Sequence, residues 1–305
     1  MNAIVSLQNS AEALTLLRAR RRTLDRVKRA QRAYFIAALI LPVASVVAAA
    51  WWQGGKPWVS FVALLVAMLD FYCLDRWQKE QIKLSARLQE QFDCLVLDVP
   101  WNSFTATKKV IPEDVFELGG DKLSASVEKT FPNWYPASVQ GLPLHLARLA
   151  CQRTNLWYDA ALRNHYARCI LWFELVIVAA LLASGFILGT SFADFVLTKL
   201  VPFVPLVMWL ERERRRHKDT EITLSRLLDE IEASIDKFID ASSHDDAQGR
   251  SRQLQDAIFL HRATSPLVSN ILYKLKRSRM EPKMHVGVEE FIKRLAVSVN
   301  GRGAL

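Results

Sequence analysis

The chain has 305 residues, a formal net charge of +9 at pH 7 and 51% hydrophobic residues. Once its long apolar stretches are set aside, the polar remainder suffices for one sizeable folded body but not for several independent domains. Its cysteines, Cys73, Cys94, Cys151 and Cys169, lack metal-ligand spacing, so reduced thiols and no metal site are expected.

Residues 11–33 read as a helix, with Ala11, Leu14, Leu17 and Leu24 forming an apolar stripe amid Arg18, Arg20, Arg21, Arg22, Arg26, Lys28, Arg29 and Arg32. No breaker separates this helix from the apolar stretch Tyr34–Trp52, which is long enough to cross a ~30 Å hydrocarbon core at ~1.5 Å per residue. Pro42 is expected to kink it. A turn at Gln53–Pro57 leads into a second apolar stretch, Trp58–Leu74, so the two form an antiparallel hairpin. Asp75–Phe92 continues as a helix, with Ile82, Leu84, Leu88 and Phe92 apolar, and Val99-Pro100-Trp101-Asn102 ends it. A looser stretch to Phe131 holds a short helix starting at Pro112. Asn133-Trp134-Tyr135-Pro136 reads as a turn.

Pro143–Arg168 again reads as helix and runs into a third apolar stretch, Cys169–Gly189. Thr190 and Ser191 turn the chain into a fourth, Phe192–Leu210, which Pro202 and Pro205 are expected to break or bend. Thr223–Ile239 is amphipathic, with Leu224, Leu227, Leu228, Ile231, Ile235, Phe238 and Ile239 on one face. A polar linker is expected at Ala241–Gly249, then helices at Arg252–Ala263, Pro266–Arg277 and Glu289–Val299. No alternating strand pattern occurs.

The predicted fold is an all-α membrane protein: four transmembrane helices in two hairpins with a helical cytoplasmic module. Its segments are a basic N-terminal helix (1–33), hairpin 1 (34–74), a helical segment (75–168), hairpin 2 (169–210) and a C-terminal helical segment (211–305). Arginines and lysines crowd the residues before the first stretch and after the fourth, whereas the hairpin tips carry only Lys56 between them. The positive-inside rule therefore places both termini and the middle segment in the cytoplasm. The basic arm, lying directly before a span, is expected to meet anionic headgroups of the lipid bilayer rather than DNA or RNA.

Ionisable residues within the spans are expensive and mark functional candidates. Lys199, near the middle of the fourth stretch, could line or gate a pore with Pro202 and Pro205, or simply pair with a neighbour. Asp70 and Glu174, toward the inner ends of their stretches, are further pore candidates. The cluster Arg153, Asn155, Trp157 and Asp159, with Arg163 and with Trp134 and Tyr135, admits two readings. It could hold a nucleotide by phosphate pairing and base stacking, or form a buried network with Arg153 or Arg163 paired to Asp93 or Asp159. No phosphate-cradling glycine loop, nucleophile elbow or metal-spaced histidine pair is present, so neither catalysis nor a cofactor is expected. His145, His165, His217, His244, His261 and His285 read as surface or satisfied histidines. Four helices enclose little aqueous space, so conduction would require a homo-oligomer.

Three blocks carry a resemblance. Gln89-Glu90-Gln91-Phe92-Asp93-Cys94 precedes Pro100-Trp101-Asn102. Asn133-Trp134-Tyr135-Pro136 goes with Cys151-Gln152-Arg153-Thr154-Asn155-Leu156-Trp157-Tyr158-Asp159, Arg163 and Tyr166. The last block is Gln255-Asp256-Ala257-Ile258-Phe259 with Arg262, Pro266-Leu267-Val268, Tyr273 and Lys274. Together they resemble the SMODS-associating four-transmembrane effector family, with a departure at Ser269-Asn270, where a more acidic and aromatic pairing is expected. The resemblance implies a pore-forming effector of CBASS-type anti-phage systems in the bacterial inner membrane. It also implies activation by a cyclic oligonucleotide from a cognate nucleotidyltransferase, and it adds Arg262 to the ligand or coupling candidates. The alternative is a non-conducting membrane scaffold whose cytoplasmic helices recruit a partner.

Overall fold

The computed structural model describes residues 2–187, 189–233 and 244–302, and among these no strand occurs. The helices are α1 (Ile4–Leu7), α2 (Ala11–Trp51), α3 (Lys56–Leu69), α4 (Asp75–Leu97), α5 (Ser103–Ala106) and α6 (Pro112–Gly119). They continue as α7 (Ala125–Glu128), α8 (Leu144–Ile187), α9 (Phe192–Asp194), α10 (Val201–Ala233), α11 (His244–Thr264) and α12 (Asn270–Arg302). Two π-helical segments, Asp70–Leu74 and Phe195–Leu200, join α3 to α4 and α9 to α10.

The basic helix and the first apolar stretch are one element, as the lack of a breaker suggested: α2 runs 41 residues and contains Pro42. Likewise α8 carries 44 residues from the polar body through the third apolar stretch. Among the described residues three helices are long and apolar enough to cross a membrane, within 11–47, 144–187 and 192–233. The remaining stretch, Trp58–Leu74, is shorter as a regular helix because the π segment at Asp70 interrupts it. Large apolar side chains along these stretches, such as Trp58, Leu64, Trp172, Val176, Leu197 and Met208, point outward and exposed, as lipid-facing surfaces must.

Outside the apolar stretches the helices close around a shared core that includes Ile4, Leu88, Phe92, Leu149, Leu156, Leu224, Ile258 and Phe291. Residues almost 290 positions apart thus share one interior. Local chemistry fixes the element ends. At the end of α4, Asp98 takes a left-handed φ of 51° and the Val99 N–H reaches back to the Cys94 carbonyl at 3.2 Å. The fully buried Arg148 then donates Nε to the Leu97 carbonyl at 2.6 Å, satisfying a helix-terminal acceptor that has no partner inside α4. Asn102 caps α5 by accepting from the Phe104 N–H at 3.0 Å, and Pro112 starts α6 at its first position.

Some boundaries differ from the sequence reading. His244–Gly249, expected as linker, is already helical within α11. The two helices expected at 266–277 and 289–299 are one, α12, which passes through Pro282 at the loss of one backbone hydrogen bond. The amphipathic stripe expected on Thr223–Ile239 buries Leu224 and Ile231 in α10, while Ile235, Phe238 and Ile239 lie outside the described residues. The fourth stretch departs from regular α-helix at Phe195–Leu200, directly upstream of Pro202. Proline supplies no N–H there, and a wider turn before it accommodates the carbonyl left without a partner.

Candidate ligand cavity

A cavity of about 280 Å³ lies inside the polar body, where α2, α4, α8, α11, the 130–135 turn and the start of α12 converge. Each helix offers it one face at helical spacing. From α2 come Leu17, Arg20, Arg21, Leu24 and Lys28; from α4, Ile82, Ser85, Ala86 and Gln89. From α8 come Asn155, Tyr158, Asp159, Leu162 and Arg163; from α11, Ile258, His261 and Arg262. Trp134, Tyr135 and Tyr273 complete an aromatic wall in which Trp134 meets Tyr158 edge-on at 5.0 Å between ring centroids. The Tyr158 hydroxyl is buried, with Tyr273 its polar neighbour.

The charges are arranged in pairs with a remainder. Arg163 donates Nε to Asp159 Oδ2 at 3.1 Å, and His261 Nε2 meets the same oxygen at 2.8 Å. Arg262 pairs with Asp93, a fully buried carboxylate that also accepts from Gln89 at 3.0 Å and Gln255 at 2.9 Å. Arg21 pairs with Asp25 at 2.9 Å. Among the described residues Lys28 reaches only the Asn270 amide oxygen, at 2.7 Å, and Asn270 in turn donates to Asp25 at 2.7 Å. Arg20 lines the cavity but makes neither a hydrogen bond nor an ion pair among the described residues. Burial, then the charges of Arg21 and Arg20, pushes Lys28 down to about 7. Burial and the charge of Arg262 lower Arg20 to about 10. Burial alone would raise Asp159, but Arg163 and the His261 hydrogen bond outweigh it and hold the carboxyl well below its usual range.

Six of the eight residues named from sequence as ligand or coupling candidates line this cavity: Trp134, Tyr135, Asn155, Asp159, Arg163 and Arg262. They are tied together. The Trp134 indole donates to Asn155 Oδ1 at 2.9 Å, and Asn155 Nδ2 donates to the Tyr135 hydroxyl at 2.9 Å. The expected Arg163–Asp159 pair is present, so the buried-network reading describes part of the cluster. Arg153 and Trp157 lie elsewhere, on a groove shared with Lys283. Arg153 pairs with Glu232 at 2.8 Å and sits over the Phe291 ring at 4.7 Å.

Sequence reasoning missed Arg20, Arg21 and Lys28, which it assigned to lipid headgroups. Arg18 also turns inward, to Glu128 at 3.0 Å, and Arg22 to the Leu118 and Asp121 carbonyls. Only Arg26, Arg29 and Arg32 of the arm are exposed. A signal was present: positions 17, 20, 21, 24 and 28 share one helical face with Leu17 and Leu24. Of the histidines, His261 is satisfied by Asp159, while His217 is fully buried between Arg163 and Glu213.

The pore candidates are separate. Lys199 is buried and its ammonium donates to the Ser184 carbonyl at 3.0 Å, one of the last four carbonyls of α8. Pro202 and Pro205 stand in the first turns of α10, and Asp70 opens the other π segment. Glu174 on α8 has one carboxylate oxygen buried without a partner among the described residues.

Fold and cavity define an all-helical membrane protein with a cationic, aromatic-walled chamber outside its apolar stretches. The family described as SMODS-associating 4TM effector domain matches residues 2–291, and the chain belongs to that family. It is also similar to a probable CBASS effector molecule of Bacillus cereus (strain VD146), at 23% identity over 284 residues, covering 91% of this chain and 94% of the relative. No solved structure matches.

Proposed function

We propose that this protein is a membrane effector of CBASS-type anti-phage defence, switched on when a cytosolic cyclic oligonucleotide enters the cavity. The observation that carries this reading is the cavity itself: arginines and a lysine for phosphates, and Trp134, Tyr158 and Tyr273 for bases, line one shared space. The similarity to a probable CBASS effector supports the same biology. The body and both termini lie in the cytoplasm of the bacterial inner membrane, following the placement of arginines and lysines.

The output is membrane disruption. Helices α2 and α8, which wall the cavity, continue without a break into the apolar stretches, so rearrangement around a ligand reaches the bilayer directly. Several copies assemble around an axis to enclose an aqueous path, because one set of spans leaves too little room. Gating involves the second hairpin, where the π segment and Pro202 and Pro205 make the helix easy to deform, with Lys199 released from Ser184 to face the water path. Asp70 and Glu174 stand at the inner mouth of the same path.

The test is dye and ion leakage from proteoliposomes of the full chain, with and without a panel of cyclic di- and trinucleotides. Leakage evoked by one member of the panel is the expected result. A correctly inserted protein that leaks with none of them overturns the reading and favours a non-conducting scaffold.

A further inference from the structure

The cavity holds more positive charge than its own carboxylates balance. Five basic side chains line it, Arg20, Arg21, Lys28, Arg163 and Arg262. Three of them have a carboxylate each: Asp25 for Arg21, Asp159 for Arg163 and Asp93 for Arg262. Arg20 and Lys28 are left over, and both belong to α2. Lys28 has only a neutral amide, and Arg20 has no partner among the described residues. The lowered proton affinity of both groups reports the same strain, since each is destabilised by burial and by neighbouring cations.

We propose that Arg20 and Lys28 form a phosphate subsite of the cavity, so that an anionic ligand is gripped by the helix that becomes the first membrane span. The inference rests on the reading of the cavity as a ligand site and names the residues that receive its charge. Arg20 and Lys28 are eight positions apart on α2, a rise of about 12 Å, and both line the cavity. A ligand carrying more than one phosphate suits that span better than a single monoanion. The buried Tyr158 hydroxyl, close to Tyr273 and also lining the cavity, is a further group able to meet a polar atom of a ligand. Cations held close together without counter-charge lower stability, and such strain is retained where binding relieves it.

Two sources can supply the phosphate, a soluble nucleotide or a lipid headgroup, since Lys28 lies only about 9 Å along α2 from the start of the first apolar stretch. The experiment uses full-length protein in lipid-free detergent with pyrophosphate as probe, and compares wild type with Arg20→Met and with the exposed control Arg29→Met. Arg20→Met is expected to raise the melting temperature of the ligand-free protein and to weaken pyrophosphate binding by about tenfold or more, the loss of one charge-assisted contact. Arg29→Met should do neither. A parallel arm in nanodiscs compares phosphatidylcholine alone with added phosphatidylglycerol. Stabilisation by phosphatidylglycerol that Arg20→Met abolishes assigns the subsite to lipid, and stabilisation by pyrophosphate alone assigns it to a soluble ligand.

The subsite is overturned if wild type binds no pyrophosphate and gains nothing from phosphatidylglycerol, or if Arg20→Met lowers the ligand-free melting temperature. Cyclic-oligonucleotide leakage that persists unchanged in Arg20→Met removes the subsite while leaving the effector function standing. Pyrophosphate binding lost in Arg20→Met, with no leakage from wild type under any cyclic oligonucleotide, leaves the subsite standing and removes the effector function.

Discussion

At the scale of the residue, buried charge dominates the energetics. Asp93 has no solvent contact and depends on Arg262, Gln89 and Gln255. Arg262→Ala leaves that carboxylate without its cation, which should cost about 3–5 kcal/mol. The double change Arg262→Ala with Asp93→Asn should recover much of the loss, because it removes the stranded charge; denaturant unfolding of the two variants measures both. Gln8 gives a neutral counterpart. Its buried amide donates to the Tyr135 carbonyl at 3.1 Å and accepts from the Tyr135 N–H at 2.8 Å, so Gln8→Ala strands two backbone groups. A loss of about 1–3 kcal/mol is expected.

Lys28 adds a pH dependence. Its folded value of about 7 lies below its unfolded value of 10.5, so between those limits the unfolded chain binds the extra proton. Stability should therefore rise as pH increases from about 7 toward 10. The groups facing Lys28 are Arg21, Arg20 and Asp25 on its own helix, Arg163 on α8 and Asn270 on α12. Lys28→Met should flatten the increase in melting temperature between pH 7 and pH 9; an unchanged slope would place its origin in another group. An anion bound beside Lys28 restores its proton, so phosphate affinity should fall over the same window.

At the scale of the element, Lys199 has a structural explanation within the hairpin. Its ammonium donates to the Ser184 carbonyl near the C-terminus of α8, where the helix dipole favours a cation, and Thr190 Oγ1 adds a bond to the Gly185 carbonyl at 3.4 Å. Lys199→Leu should cost up to about 2 kcal/mol through the lost cap while also altering ion selectivity or gating. A cap without conduction would show the first effect and unchanged currents. Much at this scale was legible in sequence: α2 and α8 follow from long patterns without breakers, and Pro112 and Asn133 mark a helix start and a turn. The π segment at Asp70 was not legible, since no proline follows it to force a wider turn. Nor was the inward aim of Arg20 and Lys28 read, because charge beside a span has two good partners, lipid phosphate and the body's own interior, and composition does not choose between them. Arg153 failed for the opposite reason: its partner Glu232 is 79 positions away and no local pattern announces it.

At the scale of the whole molecule, the cavity is built from segments that only the tertiary fold brings together. Ligand occupancy should slow amide hydrogen exchange at once in 17–28, 155–163 and 258–268, whereas α5 and α6 should change little. Protection confined to one of these segments would mean that the ligand sits elsewhere. The body and the apolar stretches also share their helices, so the two parts cannot move independently as domains joined by a linker would.

That shared construction gives α2 the character of a lever. Arg20 lies in the cavity, and Trp51 is the last residue of the same helix, about 47 Å away along its axis. A tilt of about 5° pivoting at the cavity would carry the Trp51 end sideways by about 4 Å, nearly half the usual spacing between packed helices. An adjustment too small to disturb the pairs around Asp159 and Asp93 would thus separate helices at the far face of the membrane.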